Sequence, residues 1–125
     1  MKKTVVMVKG KFPWLTGRFI AHANIVGDLV YTMGVGADDY KGDIKRQTEE
    51  TLKNLEYILK EAGSSLANVL KVTVFLSDMR DYDSMNDAYL KFFPIDPPAR
   101  TCVEVKGPGA PKGQLVEIEA VAARL

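Results

Sequence analysis

Pro97-Pro98-Ala99-Arg100-Thr101-Cys102-Val103-Glu104-Val105 is followed, after a Gly/Pro/Lys turn from Lys106 to Gly113, by Leu115-Val116-Glu117-Ile118-Glu119-Ala120-Val121. Both runs alternate as strands with one buried face do. The alternation assigns Val103 and Val105 to the core face of the first run, and Val116, Ile118 and Ala120 to that of the second. Arg100, Cys102 and Glu104, with Glu117 and Glu119, take the opposite faces. Paired as a hairpin, the two strands bring a guanidinium, a thiol and a carboxylate together on the non-core face of one sheet. An arginine fork suits a ligand carboxylate, and a nearby glutamate can orient or activate water.

Working outward, the 125 residues suit one domain over 1–125 with a real core. A hydrophobic content of 46% and a charged content of 26% are ordinary for a globular protein. The net charge of +1 gives no electrostatic reason to expect a polyanion, so no nucleic acid partner is expected. One cysteine excludes an internal disulfide and fits a reducing compartment, so a cytoplasmic location is expected. No apolar run is long enough for a membrane span or a signal peptide, and no membrane partner is expected. Zinc spacing, phosphate loop, dinucleotide fingerprint and internal repeat are all missing. A Ser-His-Asp triad would have to use His22, and nothing marks a partner for it.

Lys3–Val8 reads as a first strand, Arg18–Asn24 as a second and Leu29–Met33 as a third, with a turn at Gly27-Asp28. Gly10 to Gly17 is a loop holding Phe12, Pro13 and Trp14, and Gly36 to Gly42 a mobile one. The clearest element is a helix capped by Asp43, with Ile44, Thr48, Leu52, Leu55, Leu59 and Ala62 at spacings of four and three. Gly63 is placed to end it in the left-handed conformation. Val69–Leu76 is a fourth strand. Asp78 or Asp81 caps a second helix striped with Tyr82, Met85, Tyr89 and Phe92, which Pro94, Pro97 and Pro98 stop. The order β-β-β-α-β-α-β-β predicts an α+β fold, one mixed sheet with both helices on one face. The other face, with Thr73, Phe75 and Cys102, is too apolar to leave in water. Copies of the chain closing a ring would cover it and put the arginine and glutamate at a subunit interface.

The residues alone leave alternatives open. Arg100 is either a ligand-binding arginine or a strand-edge residue pairing with Glu104 or Glu119. Glu117 is either catalytic or solvated. Cys102 reads as a small buried hydrophobe rather than a nucleophile, and His22 as a hydrogen-bonded structural residue. Asn86 is otherwise a surface or capping amide. Trp14 with Phe12 is either a pocket lid or packing.

Pro98–Val105, Val116–Val121 and Ser84-Met-Asn-Asp-Ala-Tyr-Leu-Lys-Phe-Phe93 together resemble the Rid family of reactive intermediate deaminases, also called the YjgF or L-PSP endoribonuclease family. Val69–Met79 and Gly27–Tyr31 are similar to it as well. The resemblance implies a chorismate-mutase-like fold and a homotrimer with sites between subunits. It also implies hydrolysis of enamines and imines such as 2-aminoacrylate to 2-keto acids and ammonia, with neither a metal nor an organic cofactor. In that scheme Arg100 binds the substrate carboxylate, Glu117 positions the attacking water, and Cys102 and Asn86 line the pocket. Met33-Gly34-Val35 stands where the family usually has Ser-Gly-Gln, and Ile20 near its usual tyrosine. The implied pocket, with Met33, Gly34 and Ile20, is greasier and suited to larger side chains. Two further readings are a non-catalytic trimeric binder of small carboxylates and the ribonuclease activity of the family's older name. Near-neutral charge and the lack of a histidine pair argue against the ribonuclease.

Overall fold

The structure is a computed structural model that describes residues 2–12, 19–109 and 111–125. Its elements in chain order are β1 (Lys3–Val6), β2 (Ala23–Val26), β3 (Leu29–Thr32), α1 (Ile44–Glu61), β4 (Val69–Leu76), α2 (Tyr82–Tyr89), β5 (Ala99–Glu104) and β6 (Val116–Ala123). Short 3-10 turns precede β4 and α2. The strands form one sheet in the order β1-β2-β3-β6-β4-β5. Among the described residues only the β4–β5 pair is parallel. Both helices pack on one face, so the fold is α+β.

α1 forms because its apolar residues recur with helical period. Leu52, Leu55, Ile58 and Leu59 are fully buried, each worth about 1.5–3 kcal/mol of transfer free energy. The Asp43 carboxylate accepts the Arg46 N–H at 2.9 Å, satisfying an orphan donor of the first turn. At the other end Gly63 takes φ +82°, and the Ser64 N–H returns to the Leu59 carbonyl at 2.8 Å, a helix stop that favours glycine. Asp78, not Asp81, supplies the side-chain cap near α2: it accepts the Arg80 N–H at the start of the 3-10 turn leading into the helix.

The expected β5–β6 hairpin does not form. β4 lies between the two strands, parallel to β5 and antiparallel to β6. The α2 crossover returns the chain parallel to β4, which leaves the other edge of β4 for β6. The face assignment of β5 changes with it. Arg100 pairs with Val72 and Cys102 with Val74, so both take the helix-covered face. Val103, expected in the core, stands beside Phe75 on the other face and is 37% exposed. Glu117 pairs with Phe75 and Glu119 with Thr73. Arg100 and Cys102 therefore do not share a face with Glu117. Alternation gave the period of β5 but not its sign, because α2 supplies cover for a guanidinium and its stem.

The second strand is also displaced. β2 runs up to the two-residue Gly27-Asp28 turn, with Val26 opposite Leu29 and Gly27 at φ +56°. Pro13, Trp14 and Arg18 lie outside the described residues.

His22 precedes β2 and is fully buried. Its Nδ1 accepts the Val8 N–H at 2.8 Å, so a neutral ring carries its hydrogen on Nε2. Its backbone N–H donates to Val6 and its carbonyl accepts from Met33. The Phe12 ring meets it edge-on, centroids 5.2 Å apart. Burial pushes the imidazole below its ordinary pKa of 6.5. As pH falls, the unfolded chain therefore takes the proton first. Stability held at neutral pH should decline below the unfolded value of 6.5 and level off under the lower native pKa. As this is the chain's one histidine, its ring protons can be followed by NMR without assignment. The midpoint should lie clearly below 6.5, and a midpoint at or above it would mean a solvated ring.

Candidate functional site

A cavity of about 320 Å³ opens where β3 runs out toward Gly36 and β6 begins. Ile20, Met33, Gly34 and Glu117 line it together, joined by Tyr40 and Gln114. Ile20 lies in the segment before β2 rather than in a strand. Val35 is buried and bridges to Ile118, so Gly34 and Gly36 present bare backbone on the opposite side of the chain. The Glu117 carboxylate uses that space: a Cβ on Gly34 would stand 2.5 Å from its Oε2.

Glu117 is half-buried, and that burial raises its pKa above the ordinary 4.5. A hydrogen bond from the Gln114 amide, 3.5 Å from Oε1, opposes the shift, and the charge of Glu119 adds to it. A carboxylate with a raised pKa is a better proton acceptor near neutral pH than a solvated one. Burial and the Glu117 charge also raise the Tyr40 hydroxyl above 10.0, so it stays protonated.

Buried amides hold the cavity wall. Gln47 is 1% exposed; it donates to the Gly42 and Gly113 carbonyls and accepts the Leu115 N–H. Asn54, 2% exposed, donates to the Gly36 carbonyl and to Asp38, and accepts from the Lys11 ammonium at 3.0 Å. The segment from Gly36 to Gly42, read from sequence as a mobile loop, is thus tied to α1 at both ends. Sequence reasoning missed Tyr40 and Gln114. Their signal was weak: an aromatic inside a Gly/Asp loop and an amide at the end of a turn.

Arg100, Cys102 and Asn86 belong to a different place. The Arg100 guanidinium lies 4.7 Å from the Tyr89 ring centroid and 5.6 Å from that of Tyr82. It donates to the Tyr82 hydroxyl at 3.1 Å and approaches the Met85 sulfur at 3.9 Å. Among the described residues no carboxylate pairs with it. Glu104, one of its expected partners, instead accepts the Met79 N–H at 2.6 Å. Asn86 lies beside Met85 and one turn from Tyr82 and Tyr89, on the side of α2 that meets Arg100. Cys102 is a free thiol whose pKa burial raises and the Arg100 charge lowers. It rests as the thiol rather than as a nucleophilic thiolate. Among the described residues no group of acidic, histidine or cysteine side chains could hold a metal ion.

One chain therefore carries two separate clusters. A carboxylate sits over a cavity on the outer face of the sheet, and an unpaired guanidinium lies under α2 on the inner face. β4 separates their strands, which puts them about 10 Å apart across the sheet and on opposite sides of it.

Residues 6–124 match the family model described as endoribonuclease L-PSP. The chain belongs to this family, whose members also carry the names RutC, YjgF and Rid. It is 40% identical to a RutC family protein of Pyrococcus abyssi over 128 aligned positions, 98% of each chain. It is 35% identical to human 2-iminobutanoate/2-iminopropanoate deaminase, covering 94% of this chain and 88% of the human one. Among solved structures, yeast Mmf1 superposes with a TM-score of 0.88 at 31% identity, covering 99% of this chain and 100% of that one. A YjgF/YER057c/UK114 family member from Mycobacterium tuberculosis gives 0.84 at 29% identity, covering 98% and 99%. No helix among the described residues is long and apolar enough to cross a membrane.

Gly34→Ala should push the Glu117 carboxylate off the backbone strip. That carboxylate is the far end of a flexible side chain, so the melting temperature should hardly move. Turnover or affinity at this cavity should fall about tenfold or more from the misplacement. Unchanged function in a folded Gly34→Ala protein would mean that the carboxylate's position does not matter.

Proposed function

We propose that the protein is an imine and enamine deaminase, converting reactive 2-imino acids to 2-keto acids and ammonia in sites completed between subunits of a homotrimer. The observation that carries this reading is the division of the site. Arg100 is a guanidinium without a carboxylate partner among the described residues, presented on an edge strand. Glu117 is a carboxylate of raised pKa over a cavity on the opposite face. They can act on one small molecule only if the Arg100 side of one copy meets the Glu117 side of another. The outer face favours that contact: Tyr31 is 48% exposed and Val103 37%, and Phe75 and Val121 lie in the same rows. The human relative's name gives the substrate class.

In this scheme Arg100 holds the substrate carboxylate as a bidentate pair. The enamine takes a proton on carbon and becomes the electrophilic iminium. Water adds to C2, losing a proton to Glu117. Glu117 returns that proton to nitrogen, and ammonia leaves as the hydroxyl proton passes to Glu117, and on to solvent, and the carbonyl forms. Binding the carboxylate and one water supplies orientation. Ile20, Met33 and Phe12 make the wall beside Glu117 apolar, which favours substrates with larger side chains than 2-aminoacrylate. The lone free thiol of Cys102 fits a reducing, cytoplasmic setting. A ribonuclease reading is disfavoured because the chain's one histidine is buried and neutral.

Ammonia release from 2-iminobutyrate, above the spontaneous rate, tests the activity. Arg100→Ala and Glu117→Gln should each be inactive alone. Refolded together, they should recover activity in about a quarter of the sites, those pairing an intact arginine with an intact glutamate across the ring. Failure of the mixture to recover, with each variant trimeric, would place both groups in one subunit's site. Ligand binding through Arg100 with no ammonia release by the unaltered protein would favour a non-catalytic carboxylate binder.

Cys102→Ala should keep most of the activity, because burial raises the thiol's pKa and keeps it protonated. A folded but inactive Cys102→Ala protein would require a covalent mechanism.

A further inference from the structure

The cavity behind Glu117 holds a second polar group that the hydrolysis does not use. A Cβ on Gly36 would stand 2.7 Å from the Gln114 amide nitrogen and 3.6 Å from the Tyr40 hydroxyl, as one on Gly34 would stand 2.5 Å from Glu117 Oε2. Gly34 and Gly36 face the same way, so carboxylate and phenol lie over one strip of bare backbone. They are two residues apart along it, about 7 Å in an extended chain. The Gln114 amide is committed to the Val116 carbonyl at 3.1 Å and to Glu117. Among the described residues the Tyr40 hydroxyl makes no hydrogen bond. The rest of the cavity lining includes the apolar Phe12, Ala37 and Pro111.

We infer that Tyr40 is a specificity residue, whose hydroxyl donates a hydrogen bond to an acceptor atom near the end of the substrate's side chain. The inference rests on the deaminase reading for its orientation. With the carboxylate on the partner copy's side and C2 beside Glu117, the side chain points away from the carboxylate and into the cavity. Its methylenes lie on the apolar wall, and an acceptor three bonds beyond C2 comes within reach of the phenol. The cavity, at about 320 Å³, has room for such a chain, which the smallest imino acids would leave unfilled. A phenol with its pKa raised is a donor and not a phenolate, so it selects acceptors and repels no carbonyl or ether oxygen. An apolar cavity with one unpaired donor discriminates by leaving that donor unpaired when the wrong side chain fills the space.

The test is an isosteric pair. An L-amino-acid oxidase generates imines in situ from O-methylhomoserine and from norleucine, which differ by one oxygen in place of a methylene. Ammonia release above the spontaneous rate gives kcat/KM for each. The protein should prefer the ether about three- to tenfold, the worth of one hydrogen bond. Tyr40→Phe should abolish the preference, the ether substrate falling to the level of its isostere. Equal rates in the unaltered protein, or a preference that survives Tyr40→Phe, would overturn the inference. A fall in both rates at constant ratio would do the same, since it is the mark of a merely structural tyrosine. If the unaltered protein releases no ammonia from either imine, it is the deaminase reading that fails. The two matching 2-keto acids, compared by competition binding, then decide about Tyr40. A Tyr40-dependent preference for the ether keeps the inference, and equal affinities remove it.

Discussion

The double pairing of β4 is the constraint on which the rest depends. A pleated strand sends alternate side chains to opposite faces, and its neighbours inherit that alternation in register. Val72, Val74 and Leu76 point under the helices and have no solvent exposure, which sets the sign for β5 and β6 alike. Through it, Arg100 falls beneath α2 and Glu117 falls on the outer face. A slip of one residue in either pairing would exchange the faces and place a buried aliphatic in water.

The cavity wall is built differently from the sheet. Beyond β3, among the described residues, no named strand lies on the chain's far side, and side chains from α1 take up part of its polar groups. Reaching out from α1, Asn54 donates to the Gly36 carbonyl, and Gln47 ties Gly42 to Gly113 and Leu115. Buried amides are costly unless fully used, and these two use both ends. The result is a wall rigid enough to hold Gly34 and Gly36 under the carboxylate and the phenol. The absent side chains are what make the space.

The two charged groups are kept available by different means. Arg100 has aromatic faces instead of an anion beside it, and Tyr82 and Tyr89 orient the guanidinium without neutralising it. Glu117 is shielded from water, so its basicity rises. A guanidinium and a carboxylate within reach of each other would have formed an ion pair and quenched both properties. Separation by the sheet prevents this inside one chain.

Period, caps and turns were legible in the sequence because they depend on neighbours along the chain. Asp43, the apolar stripe of α1, Gly63 and the bounds of β4 all follow from local sterics and hydrogen bonding. So did the interest of Arg100, Cys102, Asn86, Glu117, Met33, Gly34 and Ile20, and the family that their motifs resemble. Which strand lies beside which is not local. The alternation in Ala99–Glu104 is the same for either face, and Val103 looks like a core residue until α2 is seen to cover Arg100. Tyr40 came together with Gln114 and Glu117 only through contacts between segments remote in sequence. Hydrophobic pattern determines that a face is buried; only the packing of the crossover helix decides which face that is.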